Sequence, residues 1–244
     1  MTINSRSANL IADRPLDLPW DIICDFDGTV SMVDVTDTLL EQFANPEWED
    51  IERAWKKGLI GSRQCLDQQI PLLDMSLVEL NSHLDTIEID PDFPAFVAEV
   101  QQQGHRITVV SDGLDYVIER ILGRYGLTSI VIKANKLVQQ GSRSWKVTFP
   151  NSHIDCQVSS GNCKCFVAQQ HQHQTINGYR FLLIGDGTSD FCAAGKVDFV
   201  LAKNALVKHC VEHKIPHYPI KSFADVRSLL NVDRQLSLNY SIVH

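Results

Sequence analysis

Short apolar runs that end in small and acidic residues recur along this chain. Ile22-Ile23-Cys24 leads into Asp25-Phe26-Asp27-Gly28-Thr29, Arg106 to Val110 leads into Ser111-Asp112-Gly113, and Phe181 to Ile184 leads into Gly185-Asp186-Gly187. Uninterrupted aliphatic runs of this length suit strands buried on both faces of a parallel sheet. Phe199 to Ala202 is expected to form a further strand. In open parallel sheets the ligand crevice lies outside the carboxyl ends of the strands, so the acidic loops are expected to meet in space.

Between the first two strands the pattern changes period. Leu39, Leu40 and Phe43, then Trp48, Ile51 and Trp55, recur at helical spacing. Ser62 is expected to cap a further helix, and Ser76 with Glu79 has capping-box spacing ahead of Leu80 and Leu84. Asp92 is expected to cap a core helix through Phe93, Phe96, Val97 and Val100 that stops at Gly104. A helical insert directly after the first loop would sit over the crevice as a cap. The expected organisation is a poorly ordered polar leader over 1–19, a core made of 20–30 and 92–244, and a helical cap over 31–91. Ile130–Ile132, Lys136–Val138 and Trp145–Phe149 read as a β-hairpin turning near Gly141-Ser142.

Composition narrows the partners. A formal net charge of −8 over 244 residues gives no electrostatic reason to expect nucleic acid or an anionic membrane. No run approaches the roughly 20 apolar residues that span a bilayer, and the first residues lack a signal-peptide core. A cytoplasmic protein acting on a small phosphorylated metabolite is the expectation; composition leaves the oligomeric state open. Seven cysteines without a secretory signal read as reduced thiols. His153, Cys156, Cys163 and Cys165 are read as packed thiols beside a solvent-facing histidine, in preference to a soft-metal site. Trp48 and Trp55 are read as packing residues of the cap, and His171 and His173 as an exposed helix end.

The loops carry the chemistry. Phosphoryl transfer needs a nucleophile, a metal, donors for the phosphate oxygens and an acid for the leaving oxygen. Asp25 can attack phosphorus, and Asp27, two residues on, can protonate the leaving alkoxide and later deprotonate water. Gly28 allows close backbone approach to phosphate, and Thr29 and Ser111 add hydroxyls; Ser111-Asp112-Gly113 also offers backbone N–H groups as an anion nest. Hard Mg²⁺ favours oxygen ligands, and Asp25, the backbone carbonyl of Asp27, and Asp186 form a suitable set with Asp190 nearby. Lys164 is the expected bridging lysine, with Lys133, Lys136 and Lys146 as competitors. Asp34 either touches substrate or caps the first cap helix.

In their order along the chain, Asp25-Phe26-Asp27-Gly28-Thr29, Ser111, Lys164 and Gly185-Asp186-Gly187-Thr188-Ser189-Asp190 resemble the four motifs of the haloacid dehalogenase superfamily, and the insert resembles that of its phosphoserine-phosphatase-like branch. From about Trp20 to Leu230, including Asn45-Pro46-Glu47-Trp48 and Cys163-Lys164, the likeness extends to its methionine-salvage phosphatases. The resemblance implies an α/β fold with a Rossmann-like parallel sheet and a small helical cap, and a Mg²⁺-dependent monophosphatase working through an aspartyl-phosphate. Phosphoserine phosphatase, a related phosphotransferase and a catalytically silent phospho-ligand-binding protein are the alternatives. Two departures bear on substrate: Asp34 and Gln69 stand near the positions of a cap glutamate and an arginine in phosphoserine phosphatases, with Arg63 close by, and Asp112 replaces a common glycine.

Overall fold

A computed structural model describes residues 18–156, 158–174 and 178–230, without the side chains of 171–174. The leader expected over 1–19 therefore falls almost wholly outside the described residues, as do the side chains of His171 and His173.

The apolar runs form the centre of a seven-stranded sheet. The strands are β1 (Trp20–Cys24), β2 (Arg106–Leu114), β3 (Val131–Gln139), β4 (Trp145–Thr148), β5 (Arg180–Gly185), β6 (Phe199–Ala202) and β7 (His217–Pro219), in spatial order β4-β3-β2-β1-β5-β6-β7. All neighbours are parallel except β3 and β4. In β1, Ile22, Ile23 and Cys24 have no exposed surface; Ile22 belongs to one apolar cluster and Ile23 to the other, because successive side chains point to opposite faces. Burying each isoleucine contributes roughly 1.5–3 kcal/mol.

The helices are α1 (Val35–Phe43), α2 (Trp48–Lys56), α3 (Ser62–Gln69), α4 (Leu77–Leu84), α5 (Phe93–Gln102), α6 (Asp115–Arg124), α7 (Lys164–Gln174), α8 (Phe191–Ala194) and α9 (Asn204–Glu212). Residues 223–230 are also helical. The first five lie between β1 and β2, and the first four of them fall in the stretch between Ser31 and Ile89. That stretch leaves and rejoins the sheet at one place, where Ser31 bridges Ile89 and the Asp90 N–H donates to the Val30 carbonyl at 2.8 Å.

Local signals held unevenly. The Ser76–Glu79 capping box is formed, and Asp34 caps α1 by accepting from the Asp37 N–H at 3.0 Å. The cap position of α3 is Gly61, with Ser62 one residue inside the helix, because the Ser62 hydroxyl is drawn to Asp112 instead. Asp92 occupies the cap position of α5 without capping it; its carboxylate is taken by Arg227 at 2.6 Å. Ile130–Ile132 and Lys136–Val138, read as separate runs, lie on or beside a single strand that pairs with β2 in its first half and with β4 in its second. That hairpin clasps the insert: Arg143 pairs with Asp74 and Glu79, and the Trp145 indole donates to the Met75 carbonyl at 2.8 Å. Trp48 packs against the main core, and Trp55 is half-buried.

Candidate active site

The carboxyl ends of β1, β2 and β5 bring the acidic loops together. Parallel pairing sets Cys24 beside Val109 on one side and Ile184 on the other, so the residues that follow emerge side by side. The Asp25 N–H still donates to the Ile184 carbonyl at 2.9 Å, which carries Asp25 to the sheet's edge before the chain turns.

Lys164, the first residue of α7, is 1% exposed. Its Nζ lies 2.7 Å from Asp25 Oδ2, 2.7 Å from Asp190 Oδ1 and 2.9 Å from the Ser189 hydroxyl. Burial alone would lower its pKa, but Asp190 and Asp25 outweigh burial and hold it above the ordinary lysine value. The competing lysines have other places: Lys133 and Lys136 lie on β3 and Lys146 on β4.

Asp25, Asp186 and Asp190 each offer a carboxylate oxygen within 4.8 Å of the others. The three carboxylates outnumber the two ammoniums that act on them, Lys164 and Lys203, so negative charge is left over. Burial raises the Asp25 pKa well above the ordinary carboxylate value, with Asp190 adding to it against Lys164, and burial raises that of Asp186 as well. A hard divalent cation fits this donor set in charge and in ligand chemistry. Asp190 is already engaged: its Oδ2 accepts from the Asp186 and Gly187 N–H groups at 3.0 and 3.2 Å. It thereby fixes the turn that presents Asp186. A Cβ at Gly185 would run into that same oxygen, so this position tolerates only glycine.

Asp27, two residues on from Asp25, is held by other partners. Its Oδ1 accepts from the Val35 N–H, at the start of α1, at 2.9 Å, and its Oδ2 from the Ser111 hydroxyl at 3.2 Å. Burial, with Asp34 adding to it, pushes its pKa up to about 7 against those two hydrogen bonds. Such a carboxyl can give and take a proton near neutrality. Gly28 has φ +68°, and a Cβ there would lie 2.7 Å from Asp186 Oδ2, so conformation and contact both call for glycine. The Thr29 hydroxyl donates to Asp186 Oδ1 at 3.4 Å. Ser111 Oγ accepts from the Gly113 N–H at 2.9 Å, and a Cβ at Gly113 would meet Asp27 Oδ2 at 2.6 Å.

The side chains of Asp112 and Asp34 have partners of their own. Asp112 Oδ1 accepts from the Asn162 N–H at 2.8 Å and from the Asn135 amide at 3.1 Å, and Oδ2 from the Ser62 hydroxyl of the insert. Its carboxylate therefore joins the end of β2 to α3. Asp34 caps α1 through one carboxylate oxygen, and its charge is felt by Asp27. Gln69 is buried and donates to Glu52 at 3.0 Å, whereas Arg63 is exposed over the Phe149 ring.

Several site residues escaped the sequence reading. Lys203 Nζ donates to the Thr29 carbonyl at 3.3 Å, and the Asn204 amide to Asp186 Oδ2 at 3.2 Å. Both follow β6, and the rule that points to the ends of β1, β2 and β5 applies equally there. Asn162 donates to the Ser111 carbonyl at 2.7 Å and the Lys133 carbonyl at 2.6 Å; no spacing in the sequence announces it.

Comparisons with known proteins agree with this geometry. The family model described as haloacid dehalogenase-like hydrolase matches residues 22–195. A 2-hydroxy-3-keto-5-methylthiopentenyl-1-phosphate phosphatase of Exiguobacterium sp. is 29% identical over 212 residues, covering 86% of this chain and 96% of the relative. The protein of the same name from Bacillus velezensis is 30% identical over 220 residues, covering 85% and 88%. Among solved structures, a phospho-aspartyl intermediate analogue of phosphoserine phosphatase aligns with TM-score 0.65 at 20% identity, covering 88% of this chain and 99% of that one. A probable phosphoserine phosphatase from Vibrio cholerae aligns with TM-score 0.69 at 19% identity, covering 90% and 67%. With a mostly parallel sheet, matching motifs and matching relatives, the chain belongs to the haloacid dehalogenase-like hydrolase family and is a phosphoric monoester hydrolase.

Proposed function

We propose that this protein is a Mg²⁺-dependent phosphatase of a small phosphate monoester, working through an aspartyl-phosphate on Asp25. The observation that carries the reading is Lys164, whose buried ammonium ties Asp25 to Asp190 at 2.7 Å each, with Asp186 in the same cluster.

In this reading an Asp25 carboxylate oxygen attacks phosphorus, and the bond to the leaving oxygen breaks as Asp27 delivers its proton to that oxygen. Asp27 then takes a proton from water, whose oxygen attacks the same phosphorus and frees Asp25 and inorganic phosphate. Lys164 holds the nucleophile and neutralises phosphate charge, with the Thr29 and Ser111 hydroxyls and the N–H groups near Gly113 as further donors. Asp25, the Asp27 carbonyl and Asp186 would hold Mg²⁺, with Asp190 positioning them; the ion would supply the positive charge that the carboxylate cluster still lacks. The insert over 31–91 serves as a cap on a core of 20–30 and 92–244, and its Asp34 supports the Asp27 pKa from the end of α1.

For substrate we infer the 2-hydroxy-3-keto-5-methylthiopentenyl 1-phosphate named for the relatives. Support comes from the insert: Gln69 is committed to Glu52, which leaves no guanidinium there to pair with the carboxylate of phosphoserine. The test is phosphate release from a panel containing both esters, with Mg²⁺ and with EDTA. Faster hydrolysis of the methylthiopentenyl ester, abolished by EDTA and by Asp25→Asn, is expected. No Mg²⁺-dependent hydrolysis of any ester by folded protein would refute the function, and preference for phosphoserine would refute the substrate.

A further inference from the structure

Lys164 is flanked in sequence by two cysteines, and their sulfurs lie 3.3 Å apart. Two further thiols lie nearby, Cys156 beside Cys163 and Cys192 beside Cys165. Cys156 is held by the Ser160 hydroxyl at 3.3 Å and the Ser160 N–H at 3.4 Å. Cys156 and Cys163 are buried, whereas Cys165 and Cys192 are half-buried.

Neighbouring sulfurs are not a cage. Among the described residues, the group that offers three ligand atoms within 4.8 Å of one another is the acidic trio, not these thiols. His153 does not complete a site either, since its ring packs on Phe166 at 4.2 Å and its Nδ1 accepts from the Asp155 N–H at 3.2 Å. Neighbouring thiols that do not converge on a point suit pairwise oxidation better than metal binding.

We propose that Cys163 and Cys165 are a thiol-oxidation site for peroxide, and that the disulfide they form disables Lys164. Cys165, the less buried thiol of the pair, attacks the peroxide: an S–O bond forms, the O–O bond breaks, and the departing hydroxide takes the thiol proton as water. Cys163 then attacks the Cys165 sulfur, the S–S bond forms, and the second hydroxide leaves as water with the Cys163 proton. Two thiols lose two electrons to one hydrogen peroxide, giving a disulfide and two waters. An external dithiol reverses the step by exchange.

The consequence for Lys164 is geometric. A disulfide needs sulfurs about 2.0 Å apart and a nearly perpendicular torsion, so closure from 3.3 Å must reshape the first turn of α7. Lys164 is the residue between them, and its ammonium is shared by Asp25, Asp190 and Ser189. A displacement of about 1 Å at such a group can cost roughly 100-fold in turnover.

The site can be read without any activity. Trypsin cuts after Lys164, between the two cysteines, releasing 147–164 and 165–180. In full-length protein oxidised with hydrogen peroxide, then alkylated and digested, these peptides are expected to remain joined, with fragmentation placing the link at Cys163. They should separate after dithiothreitol. Cys156→Ser should still give the joined pair, and Cys165→Ser should not. The activity arm rests on the proposed phosphatase: peroxide should lower turnover about 100-fold, reversibly in the wild type and not at all in Cys165→Ser. Separate peptides after oxidation, or a link through Cys156, would overturn the site. A Cys163–Cys165 link with unchanged turnover would overturn its effect on Lys164. Absence of turnover in the reduced wild type would count against the phosphatase alone, and the peptide result would still decide the site.

Discussion

Replacing Asp27 by asparagine should remove a pH-dependent cost from the metal-free protein while abolishing turnover. Burial raises the Asp27 pKa from 3.8 to about 7, so the folded state binds its proton more tightly than the unfolded chain does. Between those values the folded state holds more protons, and stability must fall as pH rises. The full cost is about 4 kcal/mol above pH 7, of which about 2.5 kcal/mol is incurred between pH 5 and pH 8. Because Asp27 is partly open to solvent, screening brings that share to about 1.5–2.5 kcal/mol. The asparagine side chain cannot ionise, yet its carbonyl can still accept from the Val35 N–H and its amide can face the Ser111 hydroxyl. Urea denaturation of both proteins in EDTA, at pH 5 and pH 8, isolates the difference, since the other buried acids are common to both. The variant is expected to gain about 1.5–2.5 kcal/mol on the wild type over that interval, with turnover in Mg²⁺ reduced at least ~100-fold. Equal pH dependence in the two proteins would refute the claim that burial holds this carboxyl protonated.

Three further outcomes follow from the geometry. Ser62→Ala removes the hydroxyl that α3 donates to the Asp112 carboxylate; a charge-assisted bond of this kind is worth roughly 1.5–3 kcal/mol, so amide exchange across Trp48–Lys56 and Ser62–Gln69 should rise at least ~10-fold, and unchanged protection would contradict the link. Gly28→Ala forces a side chain into φ +68° and against Asp186; a stability loss of about 1–2 kcal/mol and weaker Mg²⁺ dependence of activity are expected, by thermal denaturation and by metal titration. Mg²⁺ should raise the melting temperature of the wild type, more at pH 8 than at pH 5 because protons compete for Asp25 and Asp186, whose pKa values burial raises; an equal shift at both pH values would argue against these ligands.

The sequence by itself determined the elements and the chemistry available to them. Runs such as Ile22-Ile23-Cys24 and Phe181–Ile184 have the one composition that suits a doubly buried strand, and an acid directly after such a run can only emerge at the sheet's edge. Tertiary structure decided what each polar group does there. Asp34 and Asp112 carry the same functional group as Asp25 and Asp27, yet one caps a helix and the other ties the end of β2 to the insert. The cap is a local contact with Asp37, three residues on, but the Ser62 partner of Asp112 lies on another element, as do Lys203, Asn204 and Asn162, and no spacing along the chain encodes a meeting across the sheet. The same holds for the pKa of Asp27, which depends on desolvation and on the field of neighbours that only folding brings close.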